Sequence, residues 1–197
     1  MATENNYDNR DFVIIDGKLI DYRGHDKTVV IPDTVKVIGR HSFPDTVVKL
    51  YIPASVEVIE TYAFISSLHL EEIEVAPDNP VYYSKSNCVI ERKTKKIIKG
   101  TRKSVIPEYG SVTAIGTGAF HDVDGSIFYI RKCITEIESC AFDFGIDETL
   151  VIECESRPEG WEEDWDNNVG LLWEETDWEG GASGLLLEWG AKFSDED

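Results

Sequence analysis

Apolar positions in this chain fall into short alternating runs, and the runs recur. Ile52–Phe64 reads IPASVEVIETYAF, and Ile31–Phe43, one repeat earlier, reads IPDTVKVIGRHSF. Ile106–Phe120, IPEYGSVTAIGTGAF, is slightly longer, and Ile130–Phe142, IRKCITEIESCAF, has Arg131 in place of the proline. The shared skeleton is an apolar residue and Pro, then an apolar residue, two spacers, Ile, and a small residue before Phe. A unit this short cannot bury its own apolar face and must stack on its neighbours, so the pattern predicts a mainly β solenoid. In Leu50-Tyr51-Ile52 the alternation turns Leu50 and Ile52 inward and Tyr51 outward. Pro53 has no N–H to give to a ladder and ends the strand. Val56 and Ile59 turn back inward. Phe43, Phe64, Phe120 and Phe142 are expected to stack as one continuous column.

The ends and one interior stretch break the period. Phe12–Tyr22, FVIIDGKLIDY, holds two apolar runs joined by Asp16-Gly17, a pair suited to a type I′ turn. It predicts a hairpin that caps the N-terminal end of the stack, where core and strand edge would otherwise be exposed. After Val75 the chain reads APDNPVYYSKSNCVIERKTKKIIKG, which predicts an inserted hairpin with its tip near Lys93-Thr94. From Thr149 the composition shifts. All five tryptophans lie beyond that point, at 161, 165, 173, 178 and 189. Leu171-Leu172-Trp173 and Leu185-Leu186-Leu187 are candidates for two last strands. The expected organisation is a flexible N-terminus (1–11), a repeat domain (12–154), and an acidic Trp-rich C-terminal cap and tail (155–197).

The Ile-Pro corner, the Val-x-x-Ile-Gly step and the Ala-Phe step recur in order, and these residues resemble the BspA-like leucine-rich repeats of bacterial proteins. The resemblance covers about Phe12 to Trp165. It implies a curved leucine-rich-repeat stack of short parallel strands and a protein-binding role without catalysis. His41-Ser42, Thr61-Tyr62 and Arg131 depart from the pattern as ordinary drift between repeats.

Charge narrows the partners. The chain has 197 residues and a formal charge of -19, with 38 acidic residues against 19 basic ones. Direct nucleic-acid binding and anionic membranes are disfavoured, since phosphate contacts rely on Lys and Arg. A basic protein partner and simple solubility both remain open. Residues 155–197 hold 14 acidic and two basic side chains, a net of -12. Seven basic residues cluster at 92–103: Arg92, Lys93, Lys95, Lys96, Lys99, Arg102 and Lys103. They read either as a docking patch or as a solvated hairpin whose lysines protect its edge. The opening MATENNYDNR has no apolar segment of a secretory leader, and no run reaches the length of a membrane span, so a cytoplasmic location is expected.

No catalytic motif stands out. Cys88, Cys133, Cys140 and Cys154 form no Cys-x-x-Cys pair and have no His at ligand spacing, so they read as reduced and structural. The four histidines are scattered, and no phosphate or dinucleotide loop is present. The reading is therefore non-enzymatic, with no cofactor and no metal. Two binding surfaces compete. Aligning the repeats gives an outward column of Val30, Tyr51, Glu74, Val105, Tyr129 and Val151, which serves either as a protein-binding stripe or simply as residues that fit a pleated surface. The acidic end offers Glu162, Glu163 and Asp164 with Trp173 and Trp178, either as anchors for a basic groove or as closure of the stack. The first surface points to a general protein-interaction module. The second points to a small inhibitor, such as a phage- or mobile-element-encoded blocker, that occupies the nucleic-acid-binding surface of a basic protein.

Overall fold

The structure, a computed structural model, describes residues 9–107, 110–121, 123, 127–142, 149–166 and 186–192. The chain opens with an antiparallel hairpin of β1 (Phe12–Ile15) and β2 (Lys18–Tyr22). Asp16 and Gly17 both take positive φ, 49° and 78°, as the two-residue turn requires. Each turn of the coil then gives one strand to each of two parallel sheets. β3 (Thr28–Val30), β5 (Lys49–Ile52) and β7 (Glu72–Val75) form one sheet; β4 (Val37–Ile38) and β6 (Val58–Ile59) extend the hairpin into the other. A meander of β8 (Tyr82–Lys85), β9 (Cys88–Glu91) and β10 (Lys96–Lys99) follows. β11 (Ala114–Ile115) and β13 (Glu136–Ile137) extend the meander in parallel, while β12 (Ile127–Ile130), β14 (Thr149–Ile152) and β15 (Leu186–Trp189) form a fourth sheet. Regular helix among the described residues is limited to a single 3-10 turn, Asn9–Asp11.

The corner two residues before each Phe explains the drift seen there. His41, Tyr62, Gly118 and Cys140 all have positive φ, at 55°, 63°, 66° and 52°. Cys140 thus sits at a left-handed corner of its repeat. A non-glycine residue in this region costs about 1–2 kcal/mol. Only Gly118 avoids that cost. His41 is exposed, so His41→Gly should raise stability by about 0.5–1 kcal/mol, after the entropy glycine adds to the unfolded chain; a urea melt measures it.

The expected single phenylalanine column is two. Phe43 and Phe64 stack at 5.8 Å, and Phe120 and Phe142 at 5.1 Å, but the pairs lie in separate cores. Phe12 and Tyr22 prolong the first ladder, and Trp165 meets Phe142 edge-on at 5.8 Å in the second. The cause is the meander. Cys88, Val89 and Ile90 are all fully buried. Cys88, Ile90 and Ile97 face the second core, whereas Tyr82, Val89 and Ile98 pack on the first. The inserted hairpin is therefore a wall between two cores: its tip at 92–95 is exposed, as a solvated hairpin requires, but its middle strand β9 is buried and is not a solvated edge.

It also restarts the coil. β9–β10 stands to β11 as β1–β2 stands to β4. Lys18 reaches Glu60 at 2.7 Å, and Lys96 reaches Glu138 at 2.6 Å, each across an intervening turn. That crossing needs a glycine. A Cβ on Gly39 would lie 2.6 Å from the Leu19 carbonyl oxygen and 2.9 Å from Lys18 Cε. Gly116 holds the same place under Lys96. This gives the Val-x-x-Ile-Gly step a steric reason, strict at Gly39 and weaker at Gly116, where the nearest atoms would lie 3.1 and 3.4 Å away.

Candidate protein-binding surface

Outward strand positions are where a solenoid meets its surroundings, because the inward positions are consumed by packing. In β12 and β14 the inward residues Phe128, Ile130, Leu150 and Ile152 are buried. Their neighbours point out: Ile127 is 57% exposed and Tyr129 48%. Tyr129 pairs with Val151, and Ile127 with Thr149, in parallel register. Val105 is 65% exposed but lies in no strand; its N–H goes to the Ser86 carbonyl at 3.1 Å. Across the meander, Val30, Tyr51 and Glu74 align in β3, β5 and β7. The predicted single column is thus two faces in two sheets, broken at Val105 because the meander separates the sheets. The first face is the more polar: Tyr51 is half-buried, and the Lys49–Glu72 pair at 2.5 Å runs beside it. Ile127 was missed from sequence because Ile127-Phe128-Tyr129-Ile130 is apolar throughout and shows no alternation.

The acidic end divides. Trp161 and Trp165 are buried, with rings 4.9 Å apart and Trp161 Nε1 donating to the Ile134 carbonyl at 3.0 Å. Trp161 bridges Ile137 and so adds a rung beyond β13. These two tryptophans continue the core. Glu162, Glu163 and Asp164 are exposed. The Glu162 carboxylate accepts the Ser139 hydroxyl at 2.5 Å, and the Asp164 carbonyl accepts the Cys140 N–H at 2.9 Å. Trp173 and Trp178 lie outside the described residues, as does the Leu171–Trp173 segment.

Most of the basic cluster is absorbed by structure. Arg92 lies 5.2 Å over the Tyr83 ring and donates to the Asn79 carbonyl at 3.0 Å. Lys95 reaches the Gly110 carbonyl at 3.1 Å, and the buried Lys99 reaches that of His121 at 3.2 Å. Arg102 and Lys103 both engage Glu71. Hydrogen bonds from Lys103 and Arg102 hold the Glu71 carboxyl down to about 2. A depressed carboxyl stabilises the fold above its unfolded value, near 4.5, and loses that contribution as pH falls toward 2. Stability should therefore drop from pH 4.5 to 2, and Glu71→Gln should flatten that part of the profile in urea melts; an identical slope in the variant refutes the assignment.

All four cysteines are free thiols, and burial pushes Cys88 up to about 12. Among the described residues no group of three His, Cys, Asp or Glu side chains is placed to hold a metal, and no helix is long and apolar enough to cross a membrane.

A coil of short parallel strands, with one strand per turn on each side and aromatic rings stacked inside, is a β solenoid of repeated turns. The profile of the BspA type leucine rich repeat region matches residues 22–145 in six copies, and the chain belongs to that family. No curated protein matches the chain. Among solved structures, it is similar to a leucine-rich repeat protein from Eubacterium ventriosum, with 20% identity and a TM-score of 0.44 over 65% of this chain and 43% of that one. It is also similar to a leucine rich cell surface protein from Faecalibacterium prausnitzii, with 19% identity and a TM-score of 0.44 over 71% and 50%. The chain spans half or less of the length of either.

Proposed function

We propose that this protein is a non-catalytic scaffold that binds a protein partner on the outer face of β12 and β14. The supporting observation is the exposure of Ile127 and Tyr129 on a sheet whose inner face is closed. Outward positions of a half-buried sheet are ordinarily polar. Tyr adds contact area at low rotamer cost, which is why it anchors interfaces. The test places a photo-crosslinking amino acid at Val151 and identifies the captured protein in source-cell lysate. Affinity for that protein is then measured with Tyr129→Ala and Tyr51→Ala. Tyr129→Ala should weaken binding by more than about 1 kcal/mol, and Tyr51→Ala by less. Unchanged affinity in Tyr129→Ala removes this face.

A second reading draws on the exposed carboxylates of Glu155, Glu159, Glu162, Glu163 and Asp164. An acidic ridge of this kind suits a basic groove and supports an inhibitor of a nucleic-acid-binding protein. It predicts a basic partner released by raising salt. A captured partner that is neutral and insensitive to salt counts against it.

A further inference from the structure

We infer that the groove between the two halves of the coil binds an extended, basic peptide segment as an added strand on β6. In the turns on either side, two carbonyls of each inner rung accept N–H groups from the next turn. Gly17 and Leu19 accept from Val37 and Gly39 at 3.1 and 2.9 Å. Lys36 and Ile38 accept from Val58 and Glu60 at 3.1 and 3.0 Å. Beyond the meander, Lys95 and Ile97 accept from Thr113 and Gly116 at 3.1 and 2.9 Å, and Thr113 and Ile115 from Thr135 and Glu138 at 2.9 and 3.0 Å. Glu57 and Ile59 hold the same positions in the turn between, and their carbonyls accept from no described residue.

The sequence of rungs is short by one at this place, because the chain leaves for the meander. The gap is a groove of about 330 Å³, lined on one side by residues 57–65 and on the other by Tyr82, Glu91, Lys96 and Ile98. Its volume sits at the low end of ligand clefts. The Ile59 N–H, which a further strand would bind, instead meets the Tyr82 hydroxyl at 3.1 Å. That hydroxyl keeps its own proton to donate, so it can join Ile59 to an incoming carbonyl.

A strand laid parallel to β6 would give two N–H groups to Glu57 and Ile59 and a carbonyl to Tyr82. Main-chain bonds of this type carry strand addition, and the pockets beside them select side chains. Val58, 46% exposed, and Ile98 offer an apolar surface. The lining carries Glu57, Glu60, Glu91 and Glu138 against Lys96 and Lys99. Lys36 binds Glu57 at 2.8 Å, Lys18 binds Glu60 at 2.7 Å, Lys96 binds Glu138, and Lys99 binds a backbone carbonyl. Glu91 holds only the Thr94 hydroxyl and has no ion-pair partner among the described residues. Glu91 is therefore the lining carboxylate left to select a Lys or Arg in the guest.

The probe is a capped hexapeptide, Val-Lys-Val-Ile-Gly-Arg, the sequence of this chain's own turn at 35–40. Titrated into the full-length ¹⁵N-labelled protein, it should shift amide resonances of Glu57–Ile65 and Tyr82. N-methylation at its third and fifth residues, which carry the two donated N–H groups, should weaken binding by about tenfold or more. Replacing its Lys and Arg by Glu should weaken it by about threefold or more. Tyr129→Ala should leave it unchanged, which separates this site from the outer face. Absence of shifts at 57–65, shifts confined to another edge, or equal binding of the N-methylated or the acidic peptide overturns the inference.

Discussion

Phe120→Ala should destabilise the protein by about 3–5 kcal/mol, the range for deleting a buried aromatic ring that its surroundings cannot replace. The ring is fully buried, stacked on Phe142 at 5.1 Å and tilted against Phe128 at 4.6 Å. Gly100 fits against it so closely that a Cβ there would come within 2.1 Å of the ring. Thermal and urea melts measure the loss. The two-core arrangement makes a sharper statement with milder variants. Phe43→Leu and Phe120→Leu should add within about 0.5 kcal/mol, because distant sites with no shared partners behave independently. Phe120→Leu and Phe142→Leu, which touch, should not. Strong coupling between Phe43 and Phe120 would restore a single column and contradict the wall of β8–β10.

Asn79→Ala should cost about 3 kcal/mol or more. Asn79 is buried, and its amide nitrogen donates to the carbonyls of Pro53 and Val56 at 2.9 and 3.0 Å. Its amide oxygen accepts the N–H groups of Val81 and Tyr82 at 2.9 and 2.7 Å. One side chain thus satisfies four backbone groups where the first coil hands over to the meander. Alanine leaves them unpaired, and each orphaned buried group costs about 1–3 kcal/mol, less than additively. Asn79→Asp keeps the acceptor but turns a second oxygen toward two carbonyls, so it should not rescue. A loss below about 1 kcal/mol would mean that water replaces the amide there. Asn87 does similar work nearby, accepting the Ile73 N–H at 2.9 Å and donating to Thr101 at 2.6 Å.

The legible part of the fold was the part governed by period. Leu50 and Ile52 are buried, as alternation requires, and Asp16-Gly17 turns as a type I′ pair must. Outward placement of Tyr51 followed from the same rule, and that of Tyr129 and Val151 from aligning their repeats with it. The meander was harder. Its Cys88-Val89-Ile90 run lacks alternation, which marks a strand buried on both faces, yet the lysines beside it suggested a solvated edge. Lys95 and Lys99 proved to be engaged by carbonyls and Lys96 by Glu138 across turns. Nothing in the sequence around Asn79 and Asn87 showed which distant backbone groups they would meet.

The chain alone determined that short turns must pile up, because a turn of this length holds one apolar edge and cannot cover it unaided. It likewise determined which side chains line the interior, since a period-two strand leaves no choice once one residue is placed. Tertiary structure decided how many cores result, because the two faces of β9 are chemically alike and only their neighbours distinguish them. It also decided where the ladder is left open at Glu57 and Ile59. Every residue has the same backbone groups, so the sequence does not mark which carbonyls lack a partner; only the path of the chain does.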